Sequence, residues 1–137
     1  MSESTKQNGI ETSSSVDFLH HVLFVDDDKM IVEIMKSLLP MQEIGVTGYD
    51  DPNDALKEFA SNHSAYDLLM VDKSMPSLSG LELIQACKEI VPDLPVILFT
   101  GHQESSSDML QYGISEILQK PVKSEVVSGC IKRLLAN

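Results

Sequence analysis

Three stretches of this chain are apolar from end to end, and each stops at a residue able to do chemistry. Residues 22–25 run into Asp26, Asp27 and Asp28, residues 68–71 into Asp72, and residues 96–99 into Thr100. A strand with one face in water alternates apolar and polar residues, whereas a run without alternation needs cover on both faces. That requirement points to a parallel sheet sandwiched between helices. A weaker run at residues 114–118 leads to Lys120 and Pro121, and a mixed stretch, IGVTGY at 44–49, suits a strand nearer the sheet edge.

Amphipathic segments fill the gaps. Ile31, Ile34, Met35, Leu38 and Leu39 recur at helical spacing before Pro40. Asp51 and Pro52 form an N-cap and first-turn pair for a second helix. A third is expected over 80–90 with Leu81, Ile84 and Cys87 on one face. A short polar fourth is expected near 105–112, the least firmly packed of the set. A fifth from Ser124 carries Val126, Val127, Cys130, Ile131, Leu134 and Leu135. Five strands alternating with five helices predict an α/β, flavodoxin-like (βα)5 fold. Its five-stranded, doubly wound parallel sheet is expected in the order 2-1-3-4-5.

In such sheets ligands bind beyond the carboxyl ends of the strands, at the switch in strand order. That places Asp26, Asp27 and Asp72 in one crevice, with Thr100 and Lys120 arriving from the neighbouring strands. Singly, each has a plainer explanation. An Asp after a strand often forms a turn or helix cap, the preferred reading for Asp28. A strand-end Thr can reflect β propensity, and a lone Lys is usually a solvated charge. Two carboxylates ~4 Å apart repel by roughly 4 kcal/mol at an effective dielectric of 20. One ammonium cannot neutralise three of them, so a divalent cation is expected. Mg²⁺ fits, because it takes one or two carboxylates, keeps waters and accepts phosphate oxygens. A carboxylate beside it could attack phosphorus to give an aspartyl phosphate.

Composition narrows the function classes. The 137 residues suit one domain, expected over 18–137 behind a Ser/Thr-rich tail at 1–17 too polar to order itself. A formal net charge of −11 opposes attraction to nucleic acid or anionic membranes, and no apolar run approaches a membrane span. The opening residues lack the basic start and apolar middle of a secretory signal, so a cytoplasmic location is expected. Cys87 and Cys130 have no metal-ligand or redox spacing and are expected to be buried thiols.

Over about residues 20–136 the chain resembles the receiver domain of two-component response regulators. The resemblance rests on FVDD (24–27), YDLLMVDKSMPSLSG (66–80), PVILFTG (95–101) and LQKP (118–121). The spacing also matches: 45 residues from Asp27 to Asp72, 28 on to Thr100 and 20 on to Lys120.

The resemblance implies that Asp72 is the phosphoacceptor, served by a histidine kinase or histidine phosphotransfer protein. It implies that Asp27 binds Mg²⁺ directly, Asp26 mostly through water, and Ser74 through its backbone carbonyl. Thr100 and Lys120 would engage the phosphoryl oxygens, Gly101 would leave the phosphorus accessible, and the Lys120–Pro121 peptide would be cis. Ser74 and His102 would tune dephosphorylation. Ile117 replaces the common switch aromatic, which suggests that the signal passes through the loop and helix after strand 4. The protein would then be a signalling phosphoacceptor rather than an enzyme on another substrate. A partner or output domain would read the strand 4, helix 4, strand 5 face, and an ending after helix 5 fits a stand-alone receiver or one cut from a larger regulator.

Two alternatives compete. Asp26 and Asp28 have the Asp-x-Asp spacing of a haloacid-dehalogenase-type phosphatase, opposed by Met30 and by the lack of an acidic pair after Lys120. A receiver used only as a phosphorylation-independent docking module is the other.

Overall fold

The computed structural model describes residues 18–101 and 106–136; the expected tail at 1–17 and His102 lie outside the described residues. Strands β1 (His20–Val25), β2 (Ile44–Tyr49), β3 (Leu68–Asp72), β4 (Val96–Thr100) and β5 (Glu116–Gln119) form one sheet. Its order is β2-β1-β3-β4-β5 and every pairing is parallel, as predicted. Helices α1 (Lys29–Leu38), α2 (Pro52–Asn62), α3 (Gly80–Ile90), α4 (Ser106–Tyr112) and α5 (Ser124–Leu135) connect and cover it. Among the described residues, no helix is long and apolar enough to cross a membrane.

The uninterrupted apolar runs are explained by two separate cores. Leu23, Val25, Leu69, Val71, Val96 and Leu98 face one way, onto Ala55 and Phe59 of α2 and Leu83, Ile84 and Cys87 of α3. Val22, Phe24, Leu68, Met70, Ile97 and Phe99 face the other, onto Val32 and Met35 of α1 and Val127, Cys130 and Ile131 of α5. Consecutive residues of one strand thus enter different cores, and neither position can be polar. Both cysteines are buried and unpaired.

Local signals set the helix starts. Asp28 caps α1 by accepting from the Met30 N–H at 3.0 Å, and Asp51 caps α2 from Asn53 N–H at 2.8 Å. Ser79 and Glu82 close a reciprocal capping box on α3.

Three expectations need correction. The buried seam of α1 is Val32, Met35 and Leu39, while Ile34 and Leu38 are 45% and 37% exposed. The apolar residues nearly encircle α1, and tertiary contact selects the side that meets Gly48 of β2, where a Cβ would strike Val32. On α5, Val126 is half exposed, because its neighbour Val127 takes the inward position. The last strand starts two residues late: Gly113, at φ +66°, turns the chain out of α4. Ile114 donates its N–H back to Met109 and is buried in the turn.

Candidate functional site

Beyond the end of β1, the Asp26 N–H donates to the Tyr49 carbonyl of β2 at 3.2 Å, which fixes a fully buried carboxylate beside the sheet. Its Oδ1 accepts the Asp28 N–H at 3.0 Å and its Oδ2 accepts Lys120 Nζ at 2.8 Å. The carboxylate of Asp28 is engaged in capping α1, as the sequence suggested, and Asp27 is exposed.

Asp72 is the last residue of β3, level with Phe99 in the register. Just beyond it, the Lys73 N–H donates to the Phe99 carbonyl at 2.8 Å, and the Gly80 N–H donates to the Lys73 carbonyl at 2.9 Å. A Cβ on Gly80 would collide with the Asp72 carbonyl oxygen, so the start of α3 rests directly on the backbone that carries Asp72. Lys120 is held by its N–H, which donates to the Thr100 carbonyl at 2.8 Å, and its Nζ reaches Asp72 Oδ1 at 3.1 Å. The Lys120–Pro121 peptide is cis.

Ligand atoms of Asp26, Asp27 and Asp72 lie within 4.8 Å of one another, so one ion could touch all three. Burial raises the Asp72 carboxyl above the ordinary range, and Asp26 and Asp27 push it further, against the hydrogen bond from Lys120. Burial alone would lower the Lys120 ammonium, but its hydrogen bonds to Asp26 and Asp72 outweigh that and raise it. The site is an oxygen-only, electron-rich donor set with one cation beside it, which suits a hard divalent ion such as Mg²⁺.

Four expected residues therefore converge: Asp26, Asp27, Asp72 and Lys120. Thr100 is buried at the end of β4, one position beyond the partner of Asp72. Gly101 is exposed, and among the described residues nothing lies within 4 Å of where a Cβ would stand. Ser74 is exposed in the loop between β3 and α3. Ile117, level with Leu98 on β5, is half-buried against the same core as Met109 and Tyr112 of α4. Sequence reasoning missed the positioning part played by Gly80, whose only signal was a glycine opening a well-capped helix. It also missed a surface stripe on α1, formed by Met30, Ile34 and Leu38 and continued by Met41 beyond its end, exposed by 71%, 45%, 37% and 79%.

A parallel sheet of this order with an acidic cluster at its carboxyl edge is the arrangement expected of a receiver. The family described as "Response regulator receiver domain" matches residues 22–132, and the chain belongs to it. Among curated relatives it is 31% identical to the transcription factor SKN7 of Candida albicans, over 92% of this chain. It is 30% identical to the DNA-binding transcriptional regulator NtrC of Proteus hauseri, over 85%. The chain spans only 23% and 25% of those two relatives. Among solved structures, a receiver domain protein of Clostridium thermocellum is 30% identical with a TM-score of 0.76, covering 84% of this chain and 93% of that one. The response regulator TrrA of Thermotoga maritima, solved in complex with Mg²⁺–BeF, is 29% identical with a TM-score of 0.75, covering 85% and 100%.

Proposed function

We propose that Asp72 accepts a phosphoryl group from the histidine of a histidine kinase or histidine phosphotransfer protein. The observation that carries this reading is the placement of the Asp72 carboxylate, 3.1 Å from Lys120 and clustered with Asp26 and Asp27 at the carboxyl edge of the sheet. A carboxylate oxygen of Asp72 attacks phosphorus, a P–O bond forms, and the P–N bond to the donor imidazole breaks with its electron pair on nitrogen. Asp27 and Asp72, with the Ser74 carbonyl, would hold Mg²⁺ directly. Asp26, its oxygens already bonded to Asp28 and Lys120, would act through a coordinated water. A bound divalent cation neutralises charge on the transferring oxygens. The Mg²⁺–BeF in TrrA supports assigning that role to the corresponding site here.

Lys120 then pairs with the new phosphoryl oxygens and the Thr100 hydroxyl donates to them, which pulls on the end of β4. Gly101, which has no side chain, leaves the phosphorus accessible. Ser74, exposed in the loop after β3, would tune the lifetime of the phosphoryl group, and the same tuning role is assigned to His102, which lies outside the described residues. The protein acts on its own Asp72 and on no separate substrate.

The donor docks on the exposed stripe of Met30, Ile34, Leu38 and Met41, which starts three residues beyond Asp27 at the mouth of the pocket. An output partner or attached domain reads the β4–α4–β5 face. Direct nucleic acid binding is not assigned to this segment, given its net charge of −11, and the setting is the cytoplasm.

The test is intact mass after incubation with acetyl phosphate, with and without Mg²⁺, for wild type and Asp72→Asn. Gain of one phosphoryl group only with both Mg²⁺ and Asp72 is expected. No gain under any condition transfers the function to phosphorylation-independent docking.

A further inference from the structure

The loop that carries Ser74, between β3 and α3, is held unevenly. At its base the Gly80 N–H donates to the Lys73 carbonyl at 2.9 Å, which draws its two ends together. Met75 is buried and Leu78 packs against the core that α2 and α3 share. Elsewhere the loop borders a cavity of about 550 Å³ lined by Lys73, Ser74, Met75, Pro76, Ser79 and Leu81, so packing does not brace Ser74 from that side. At exposed Ser77, three residues beyond Ser74, the hydroxyl accepts from Asn53 Nδ2 at 3.1 Å, across 24 positions of sequence. Asn53 is itself fixed. Its backbone N–H is held by the Asp51 cap at 2.8 Å, and Ala55 and Phe59 seat its helix in the core. The bond thus ties a poorly braced loop to a firmly anchored helix.

We propose that Asn53 and Ser77 form a clasp that positions the Ser74 carbonyl for the divalent cation. This role rests on the receiver reading, and it makes both side chains positioning residues that act through the loop rather than as ligands. Mg²⁺ demands near-ideal octahedral geometry at about 2.1 Å, so a ligand that wanders weakens the site. The carboxylates of Asp26 and Asp72 are steadied by Lys120, and that of Asp26 also by the Asp28 N–H. The Ser74 carbonyl is only as still as the loop beneath it. Fixing that backbone before the cation arrives lowers the conformational entropy lost on binding. An exposed hydrogen bond adds little to global stability, so its loss is felt in cation affinity more than in unfolding. By linkage, a bound cation in turn holds the clasp closed.

The first measurement uses no metal. In EDTA, backbone hydrogen exchange followed by peptide mass should speed up several-fold across residues 73–79 in Asn53→Ala and in Ser77→Ala, with peptides from α5 unchanged. Exchange at the wild-type rate in either variant means that the bond does not hold the loop, and the proposal fails.

The second is a titration with Mn²⁺, read by the electron paramagnetic resonance signal of the free ion. Asn53→Ala and Ser77→Ala should each bind about threefold more weakly than wild type, on the scale of one net hydrogen bond. The doubly substituted protein should lose no more than either single variant, because both remove the same contact. Urea midpoints of all three should stay close to that of wild type. Wild-type affinity in the single variants, additive losses in the double variant, or a loss of binding matched by a large drop in urea midpoint overturns the clasp. In each of those cases Asp27→Asn, if it loses binding, leaves the receiver reading standing. No saturable binding by wild type, or undiminished binding by Asp27→Asn, overturns both.

Discussion

Asp72→Asn should make the metal-free protein more stable. The ligand oxygens of Asp26 and Asp27 lie within 4.8 Å of that of Asp72. At an effective dielectric of 20 each such pair repels by about 3.5 kcal/mol. The Lys120 ammonium at 3.1 Å offsets this by about 5 kcal/mol on the same scale. The remainder, about 2 kcal/mol, is unfavourable, and screening at the exposed Asp27 reduces it to about 1 kcal/mol. Asn keeps an oxygen that can accept from Lys120 and carries no charge, so the substitution removes the repulsion and retains the contact.

Urea unfolding at pH 7.5 in EDTA should show the variant more stable by about 1 kcal/mol with an unchanged slope. Because the folded carboxyl titrates above its unfolded value of 3.8, the native state holds the proton more tightly. Wild-type stability from this group falls as pH rises through the folded value, and the advantage of Asn shrinks as pH falls back through it. Mg²⁺ reverses the ranking, since a ligand at 100 times its Kd stabilises the native state by about 2.7 kcal/mol. An Asp72→Asn protein less stable than wild type at pH 7.5 without metal would refute the electrostatic account of the pocket.

Ile34→Glu should reduce phosphoryl transfer from a histidine donor by about tenfold or more and leave the rate with acetyl phosphate unchanged, because a small donor needs no docking face; a parallel loss in both rates would move the stripe's role to folding. Gly80→Ala should shift the Asp72 backbone and destabilise the protein by about 1–3 kcal/mol, with slower phosphorylation by acetyl phosphate, checked by urea unfolding and mass. His21 is held below its ordinary value of 6.5 by burial, against the pull of Asp67. Its contribution to stability is present above pH 6.5 and lost as pH falls through the folded value, so a nuclear magnetic resonance titration should give a midpoint below 6.5.

The sequence by itself determined the layer order and which residues meet at the carboxyl edge of the sheet. Runs such as residues 68–71 have no polar position, and only a strand between two helical layers tolerates that, so the sheet and its helices followed from the residue pattern alone. Its order, as expected, then brought the ends of β1, β3, β4 and β5 to one edge, which is why Asp26, Asp27, Asp72 and Lys120 could be grouped before any distance was known.

The local cap at Asp28 was legible for the same reason, since its partner lies two residues away. Other features depend on contacts between residues far apart in the chain. Which apolar residues of α1 are buried was decided by the close approach of Gly48 to Val32, and the rejected residues became the exposed stripe. Gly80 acquired its importance only because the Asp72 carbonyl lies against it. The pairing of Lys120 with Asp26 spans 94 positions, and no local pattern could distinguish it from a pairing with Asp72 alone. Periodicity records what a residue needs from its surroundings, and tertiary packing decides which neighbour supplies it.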